Sequence, residues 1–448
     1  MNFIADLHLH SKYSRAVSQN MVLSEMARWA SLKGLDIISA ADFTHPLWFR
    51  ELKSQLKETS QGLYSLESGI RNQESGKSPL FLLTTEIASI YKQGEKLRRI
   101  HNLVFAPNLE TVEKINKEFT KRGFNLIADG RPIIGLSSKD LLELLLSIDK
   151  NILLIPCHVW TPHFGVYGSK SGFDSLDEAF GDLASYVYGI ETGISSDPEM
   201  NWRLAELKDR SILSFSDAHS PANMAREAVA FELAAPTYEN IIKAIMRKGG
   251  TKDRIAYTIE FYPEEGKYHY SGHRSCKISF APSEIAEKGT TCPVCRHEFT
   301  EGVALRIEQL AGAEFAKVYE EKESARGVKW YTDKSKNHPP YVKLVRLAQV
   351  IGGAMEVSDK SIKVQAVYDK VTHELGSEIE VLLKTPLSQI EKTGGAKLSQ
   401  GLDKVRRGNI VIDPGYDGEY GKVRIWNSDS NIVQAAEEKQ KSQLGLQF

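Results

Sequence analysis

DLHLHS, at residues 6–11, places two histidines one residue apart on a short, alternating apolar run. On an extended strand, His8 and His10 point to the same side of the backbone. Neutral imidazole is the commonest metal ligand in proteins. The stretch therefore predicts a first strand whose end opens into a metal site. Taken alone, the pair is equally compatible with two histidines held by hydrogen bonds inside a core.

The composition is that of an ordinary globular protein. Of the 448 residues, 41% are hydrophobic and 26% are charged, with 57 basic against 58 acidic side chains. A net charge near zero excludes a positive potential over the whole surface, so any basic groove that binds nucleic acid must be a local feature. The start of the chain lacks the pattern of a signal peptide, and no run of about 18 apolar residues occurs. We therefore expect a cytoplasmic protein.

Short apolar strands alternate with amphipathic segments over residues 1–255. This alternation favours a parallel sheet or a β/α barrel with functional residues at the strand ends. A set of such side chains can hold two or three divalent cations, with Glu86 or Asp217 bridging two of them. Single members also have structural explanations, His101 as a loop anchor and Asp42 as a helix cap. The side chains that follow the predicted strands are Asp42, His45, Glu86, His101, His158, Asp217 and His219.

Five motifs in order, DLHLHS, ADFTH, TTE, PCH and SDAH, resemble the PHP superfamily of metal-dependent phosphoesterases. The resemblance implies an α/β fold, a distorted (β/α)7 barrel with a multinuclear metal centre. It implies one divalent metal (zinc, manganese or magnesium) held by His8, His10, Glu86 and Asp217, and a second held by Glu86, His101 and His158. A third would use His45 and His219. The segment SKYSRAVSQ, residues 11–19, offers that third metal no histidine or carboxylate, so two metals are expected and the third stays open.

Longer segments, among them IYKQGEKLRRIHNLVFAP, TPHFGVYGSKSGFDS and FYPEEGKYHYSGHRSC, look like the endonuclease Q family over roughly residues 1–425. That resemblance implies a metal-dependent DNA repair endonuclease that cleaves the phosphodiester 5′ to deaminated bases (uracil, hypoxanthine, xanthine) and abasic sites. Its substrate would be damaged DNA, double- or single-stranded, and the protein would associate with the nucleoid. The catalytic residues implied are Asp217, Glu86 and His219.

The loop TPHFGVYGSKSGF, residues 161–173, follows the predicted ligand His158 and combines glycines, aromatic rings and small polar groups. These residue types suit stacking on a flipped base and contact with phosphate. An ordinary surface loop with its aromatic side chains tucked under is the alternative. The predicted DNA or base contacts are His163, Phe164, Tyr167, Ser169, Lys170, Ser171 and Phe173.

Residues 256–312 are predicted to form a zinc-ribbon-like domain. HRSC and CPVC are separated by fifteen residues, a spacing typical of a structural zinc site. The expected ligands are Cys276, Cys292 and Cys295 with His273 as the fourth, although His297 competes for that place. A site closed by four protein ligands stabilises the fold and has no open position for substrate. Cys157, beside His158, is expected to be a packed thiol.

From residue 313 to 425 the apolar residues recur three and four apart, which predicts a helical domain. It is expected to contact the DNA backbone through Lys397, Lys404, Arg406 and Arg407, or else to be a plain helical cap. Residues 426–448 read as a flexible tail. Its end, QLGLQF, resembles a sliding-clamp peptide, in which Gln443, Leu444, Leu446 and Phe448 would fill a groove of the partner.

Two other functions fit parts of this pattern. A small-molecule phosphatase of the PHP type, such as histidinol phosphate phosphatase, would share the barrel and its ligands. It would have no use for the zinc ribbon, the helical domain or the tail. A non-catalytic DNA-binding scaffold is the other candidate, and the full set of ligands for two metals argues against it.

Overall fold

The computed structural model describes residues 1–67, 78–311 and 317–426, which form a mixed α/β fold. The strands are β1 (Asn2–Asp6), β2 (Ile37–Ser39), β3 (Leu56–Ser60), β4 (Leu63–Leu66), β5 (Leu80–Leu82), β6 (Thr84–Gln93), β7 (Lys96–Phe105), β8 (Ile133–Ile134), β9 (Leu153–Pro156), β10 (Gly189–Glu191), β11 (Ser211–Leu213), β12 (Ala228–Glu232), β13 (Arg254–Glu260), β14 (Ser271–His273), β15 (Ile278–Phe280), β16 (Tyr319–Glu323), β17 (Lys329–Asp333), β18 (Tyr341–Lys343), β19 (Val411–Asp413) and β20 (Lys422–Arg424). The helices are α1 (Leu23–Lys33), α2 (Pro46–Gln55), α3 (Leu109–Lys121), α4 (Ser138–Ile148), α5 (Leu176–Phe180), α6 (Pro198–Trp202), α7 (Tyr238–Ile245), α8 (Pro282–Lys288), α9 (Val303–Ala311), α10 (Leu347–Met355), α11 (Ile362–Leu375), α12 (Glu378–Leu383), α13 (Leu387–Gly394) and α14 (Ala396–Arg407).

Strand β1 shows why the first motif is placed as predicted. Phe3, Ala5 and Leu7 lie in one apolar core. Because side chains alternate across a strand, the intervening Asp6, His8 and His10 point to the other side. Both histidines are fully buried. The apolar residues of β1 therefore fix the direction in which the two imidazoles point.

The strands of the N-terminal region pair in several sheets. The order in the largest sheet is β16-β17-β18-β13-β12-β1-β2-β5-β4-β3, and β1 is parallel to β2 but antiparallel to β12. A second sheet has the order β8-β6-β7-β9, in which β6 and β7 form a long antiparallel hairpin, and β10 pairs with β11 in a third. This pairing, with mixed strand directions, does not by itself give the closed barrel that the resemblance implies.

The structure changes the predicted domain boundaries. Strand β13 crosses the predicted boundary at residue 255 and pairs with both β12 and β18, so one sheet continues beyond it. The segment predicted to be helical begins with strands β16, β17 and β18, and helices start only at α10. The hairpin of β16 and β17 is rich in charged, partly exposed side chains, which is why its sequence lacks the apolar alternation of a strand.

Among the described residues, no helix is both long and apolar enough to span a membrane. The predicted clamp-binding residues Gln443, Leu444, Leu446 and Phe448 lie outside the described part of the chain.

Candidate active site

The predicted metal ligands come together from five strands, with Glu86 within β6, His101 within β7 and the others following β1, β9 and β11. Among these ligands, two groups of three have ligand atoms that all lie within 4.8 Å of one another, and His8 also forms such a group with Cys157 and Glu191. The first group, called here site 1, consists of His8, His10 and Asp217; the second, called site 2, consists of Glu86, His101 and His158. Every member of both groups is a predicted ligand, although Glu86, which was predicted for both metals, belongs only to the second group.

Glu86 faces both groups with different oxygens. Its Oε2 atom lies 3.3 Å from His10 Nε2 and 3.8 Å from His8 Nε2. Its Oε1 atom lies 3.1 Å from His158 Nε2 and in hydrogen-bond contact with His101 Nδ1. One carboxylate thus bridges site 1 and site 2, as the sequence led us to expect.

The atoms of the site suit divalent cations. His8 Nε2 is buried without a hydrogen-bond partner among the described residues, 3.8 Å from Asp217 Oδ1. His10 Nε2 lies 3.0 Å from the same oxygen. Nitrogen and oxygen atoms that share a metal at about 2.0–2.2 Å in tetrahedral geometry are separated by about 3.3–3.6 Å. The separations of 3.8 and 3.0 Å lie on either side of this range, so it is the buried His8 Nε2 atom, which has no hydrogen-bond partner among the described residues, that points to a metal.

The electrostatics also indicate a place for cations. Burial opposes protonation of His8 and His10, yet the surrounding carboxylates outweigh it and raise the pKa of both imidazoles well above the ordinary value. Burial alone would raise the pKa of Asp217, but its hydrogen bond to His10 and the charge of His8 hold that pKa far below its usual range. Burial lowers the pKa of His101 to about 4, so this imidazole is neutral and free to bind a metal.

The backbone is strained where these strands end. Asp42, His158 and Asp217 have φ angles of 36°, 30° and 47°, in the left-handed region that side chains rarely adopt. Such strain persists at functional sites because the surroundings hold it. Beside His158, Gly193 has no room for a side chain, since a Cβ atom there would lie 2.4 Å from the His158 Cβ atom.

Two buried carboxylates accept hydrogen bonds from predicted ligands, at ring nitrogens or at the backbone. Glu191 Oε1 accepts from His8 Nδ1 at 2.8 Å, and its Oε2 accepts from the backbone N–H of His158 at 2.8 Å. Asp42 Oδ1 accepts from His10 Nδ1 at 3.1 Å. Such partners turn the other ring nitrogen toward the metal. Sequence reasoning missed Glu191, although an acidic residue at a strand end was the signal that identified Glu86.

Sequence reasoning also missed Arg131. Its Nη1 atom donates to Glu86 Oε2 at 3.0 Å. The charge of Glu86 raises the pKa of this guanidinium above its ordinary value. Arg131 lies in a polar loop before β8, and nothing in that loop's sequence sets it apart from other surface arginines.

The third metal site is not assembled. His45 Nδ1 accepts from the backbone N–H of Trp48, and its Nε2 lies 3.2 Å from the carbonyl oxygen of Ile127. Within the described residues, neither His45 nor His219 joins a group of metal-ligand atoms. Because both nitrogens of His45 face backbone groups, the expectation that His45 and His219 share a metal finds no support in this geometry.

The loop of residues 161–173 lies against the strand that carries His101. The backbone N–H of His101 donates to Phe164 at 2.9 Å, and Ser171 is bound to the backbone of Arg99. Phe164 is half-buried with its ring 4.3 Å from that of His101, while His163 and Lys170 are exposed. Phe164 therefore borders site 2.

The other aromatic residues of this loop point inward. Tyr167 is fully buried against Trp160 and donates to Glu206 at 3.0 Å. Phe173 is buried beneath the guanidinium of Arg98. The expectation that Tyr167 and Phe173 stack on a base is therefore wrong, because their rings complete the core below the loop. Ser169 and Ser171 likewise direct their hydroxyl groups into the protein.

Four side chains of the second unit form the predicted zinc-type cluster. Ligand atoms of His273, Cys276, Cys292 and Cys295 all lie within 4.8 Å of one another, with Cys295 Sγ 3.2 Å from His273 Nδ1. His297 is not in this group, which decides between the two candidate histidines. Cys157 is buried, and burial together with the charge of Glu191 raises the pKa of its thiol well above the ordinary value, as expected for a packed cysteine.

The predicted DNA contacts of the helical segment need one correction. Arg406 is only 2% exposed and donates to the backbone carbonyls of Val381, Leu382 and Thr385. The prediction that Arg406 contacts a DNA phosphate is wrong, because its guanidinium donates to the carbonyl groups at the end of α12. Arg407 is exposed and paired with Asp403 and Glu323. Its contact with DNA stays a prediction, as do those of Lys397 and Lys404.

Curated relatives match the chain in full or in part. An uncharacterized protein of Bacillus subtilis, YqxK, is 28% identical over 94% of this chain and 98% of its own length. Uncharacterized protein MJ0043 of Methanocaldococcus jannaschii is 29% identical over 59% of this chain, and the match spans only 31% of that protein. The family model described as the MJ0043 C-terminal domain matches residues 346–409, which contain helices α10 to α14.

Two solved structures resemble the whole chain. The lesion-specific endonuclease PfuEndoQ of Pyrococcus furiosus is 28% identical, with a TM-score of 0.79 over 97% of this chain and 99% of its own. An endonuclease Q complexed with a 27-mer duplex carrying an abasic lesion at its active site is 30% identical. The match covers 95% of this chain and 97% of that endonuclease, with a TM-score of 0.78. This chain belongs to the endonuclease Q family.

Proposed function

We propose that this protein is a metal-dependent DNA endonuclease that cleaves the phosphodiester on the 5′ side of damaged nucleotides. The observation that carries the proposal is the pair of ligand groups that share Glu86. Membership in the endonuclease Q family supports a nuclease acting at DNA lesions, since one relative was crystallised with a duplex containing an abasic site. Uracil, hypoxanthine and xanthine are the deaminated bases we propose as further substrates.

We propose that His8, His10, Asp217 and Glu86 hold one divalent cation, and that Glu86, His101 and His158 hold a second. Paired cations, when bound, supply an activated water and stabilise the negative charge that develops on the phosphoryl group. Glu191 and Asp42 fix the orientation of His8 and His10, so these ligands are already aimed before any cation arrives.

His219 is the group of this chain best placed to accept a proton, because the pKa of Asp217 is held far below its usual range. His219 Nδ1 donates to the carbonyl oxygen of Asp217 at 2.8 Å, which leaves Nε2 as the acceptor of the ring. Burial lowers the pKa of His219, so it is neutral near pH 7 and able to accept a proton. Side-chain exposures of 32% for His219 and 25% for Asp217 leave both open to substrate.

We propose that damaged DNA approaches over the loop of residues 161–173. His163 and Lys170 are exposed there, and Phe164 lies between the Arg99 guanidinium, 5.9 Å away, and the His101 ring. An aromatic face and a cation beside the metal ligands suit an unstacked base and its phosphate. The cluster of His273 and three cysteines is proposed to bind one structural zinc that folds the ribbon.

A nicking assay tests the proposal. End-labelled duplexes containing uracil, hypoxanthine, an abasic site or no lesion are incubated with the protein in manganese, magnesium or chelator. We expect a single 5′ nick that needs both a lesion and a metal. Turnover of a phosphomonoester without any nick would favour the small-molecule phosphatase, and DNA binding without either reaction would favour the scaffold.

Asp217→Asn tests the metal centre within the same assay. The substitution keeps the size of the side chain but removes the charge that pairs with His10 and His8, so nicking is expected to fall by at least about 1000-fold with the fold intact. Asp182→Asn, at an exposed carboxylate paired with Lys139, is the matched control. Full cleavage by Asp217→Asn with unchanged metal content would remove Asp217 from the mechanism.

The C-terminal QLGLQF is proposed to bind a sliding clamp, through Gln443, Leu444, Leu446 and Phe448. Deletion of residues 443–448 is expected to weaken binding to a purified clamp while nicking of short duplexes is unchanged. Equal clamp affinity of the full-length and shortened chains would contradict this assignment.

A further inference from the structure

The position of Arg131 beside the bridging carboxylate is not explained by the metal ligands. Its Nη1 atom binds Glu86 Oε2 at 3.0 Å, the same oxygen that faces His10 and His8 of site 1. In the described part of the chain, its Nη2 and Nε atoms have no hydrogen-bond acceptor, and its side chain is 23% exposed. The partly exposed guanidinium therefore keeps N–H groups without an acceptor beside site 1.

The loop that carries Arg131 is held on both sides. The Pro132 carbonyl oxygen accepts from Ala88 on β6 at 3.0 Å, two residues beyond Glu86. The backbone N–H groups of Arg131 and Gly130 donate to Asp129 at 3.1 Å and to Tyr13 at 3.1 Å. A Cβ atom at Gly130 would lie 2.3 Å from Ser14 Oγ, so only glycine allows this close approach. Arg131 is thus fixed relative to Glu86.

The described residues also do not assemble the third ligand set. Segment 11–19 supplies no histidine or carboxylate, and both nitrogens of His45 face backbone groups. A guanidinium is always charged and its fork of donors matches a phosphate oxygen pair. One N–H of Arg131 holds Glu86, and the others are left to bind an anion next to site 1.

We propose that Arg131 is a catalytic residue of this enzyme, binding the scissile phosphate and supplying the positive charge for which no third metal site is assembled. This inference rests on the proposed nuclease function. A fixed cation beside a reacting phosphodiester stabilises the charge that grows on its oxygens in the transition state, and it needs no reorganisation to do so.

The test compares Arg131→Gln and Arg131→Lys with the wild type and with Arg122→Gln. Arg122 lies on the surface after α3 and is paired with Glu118. Its substitution is the control, because it removes one arginine away from the site. Three quantities are measured on the full chain: metal bound per chain, calorimetric affinity of the manganese-loaded protein for inorganic phosphate, and single-turnover nicking of a duplex with one abasic site. The first two do not depend on activity.

For Arg131→Gln we expect unchanged metal content, phosphate affinity reduced at least about tenfold, and nicking reduced about 100- to 1000-fold. Arg131→Lys keeps the positive charge but lacks the paired N–H donors of the guanidinium, so it should recover part of the phosphate affinity and part of the nicking. Loss of metal in both variants would show that Arg131 only neutralises Glu86, and unchanged phosphate affinity would also overturn the proposal. A wild type that binds phosphate through Arg131 but never nicks DNA would contradict the nuclease function and leave the anion site supported.

Discussion

At the scale of single residues, Glu227 is a carboxyl group in an unfavourable environment. It is fully buried, and neither of its oxygens has a hydrogen-bond partner among the described residues. Glu260, also fully buried, belongs to the adjoining strand β13. Burial, with the charge of Glu260 added, raises the pKa of Glu227 well above its ordinary value. The folded protein therefore retains a proton that the unfolded chain releases.

We predict that Glu227→Gln stabilises the protein at neutral pH. Between the ordinary carboxyl pKa of 4.5 and the raised value, the folded state binds more protons, so the free energy of unfolding falls as pH rises. This fall is about 1.4 kcal/mol per pH unit for one proton, and the substitution removes it. Urea unfolding at pH 5, 6, 7 and 8 measures the slope.

Glu232→Gln provides the control for that prediction, since Glu232 lies on the same strand but its side chain is 37% exposed and paired with Arg254. It should leave the pH slope as in the wild type. Identical slopes for Glu227→Gln and the wild type would mean that the carboxyl group at 227 is ionised in the folded protein.

The ligands could be predicted from the sequence because each follows an apolar strand, and buried strands are visible as apolar runs. Glu86 and His158 are examples, and both lie where that reasoning places them. Arg131 could not be predicted, because its role depends on a loop that meets β6 only in the folded chain. The positive φ angle of Asp217 is equally invisible, since it is imposed by packing and not by residue type.

At the scale of elements, helix α9 contacts the loop of residues 161–173. Arg306 Nε donates to the Tyr167 carbonyl oxygen at 3.1 Å, and its Nη2 donates to that of Phe173 at 3.2 Å. The same guanidinium also binds the Asp174 carboxylate. A side chain from one unit thus satisfies backbone carbonyls of a loop in another, which sets the position of that loop beside site 2.

We predict that Arg306→Ala impairs recognition of DNA more than it impairs the metal centre. Two carbonyl groups lose their charged donor, so the loop shifts or loosens. Misplacement of a positioning segment costs up to about 100-fold in rate, and we expect KM for a lesion duplex to rise with metal content unchanged. Hydrogen exchange of the amides of residues 161–174 should become faster in this variant.

Arg254→Ala, which removes an exposed arginine from β13, is the control for Arg306→Ala. Wild-type exchange rates and kinetics in Arg306→Ala would show that the loop holds its position without this contact. A variant that lost metal as well would indicate a general disturbance of the fold and not a specific effect on the loop.

Element positions were predicted better than element partners. Helix α1 is one of the amphipathic segments expected between the apolar strands, and it buries Leu23, Met26 and Ala30. The antiparallel hairpin of β6 and β7 was not foreseen, because alternation in a strand does not reveal the direction of its neighbour. The interior place of Arg406 was missed for a related reason, since the carbonyl groups that it satisfies belong to another helix.

At the scale of the whole molecule, a buried ion pair connects the first helix with the C-terminal helices. Lys33 Nζ donates to Glu378 Oε2 at 2.6 Å, and Tyr368 donates to the same oxygen at 2.7 Å. The backbone N–H of Leu347 donates to the other oxygen at 2.9 Å. Burial would raise the pKa of Glu378, but the charge of Lys33 and these donors hold it below the ordinary value.

We predict that Lys33→Met destabilises the protein by about 3–5 kcal/mol at pH 7, because it leaves a buried carboxylate without its cation. Since the pKa of Glu378 is lowered on folding, the contribution of the pair is present above the unfolded pKa of 4.5 and is lost as pH falls below it. Thermal unfolding at pH 7 and pH 4 measures both effects.

Lys114→Met breaks an exposed pair with Glu110 on α3 and should leave stability close to that of the wild type, because water screens such a pair. The double variant Lys33→Met with Glu378→Gln should recover part of the loss, because the uncompensated charge is gone. If Lys33→Met proved as stable as Lys114→Met, the carboxyl group of Glu378 would have to be neutral in the folded protein.

The continuation of one sheet through β13 has a consequence for any attempt to isolate the catalytic half. A chain cut after residue 255 would lose nearly all of β13 and leave the backbone N–H and C=O groups of β12 without their partners. An uncovered strand edge is a template for pairing with other chains. A minimal nuclease made by truncation is therefore expected to aggregate, so the contributions of the C-terminal units are better separated by point substitution than by excision.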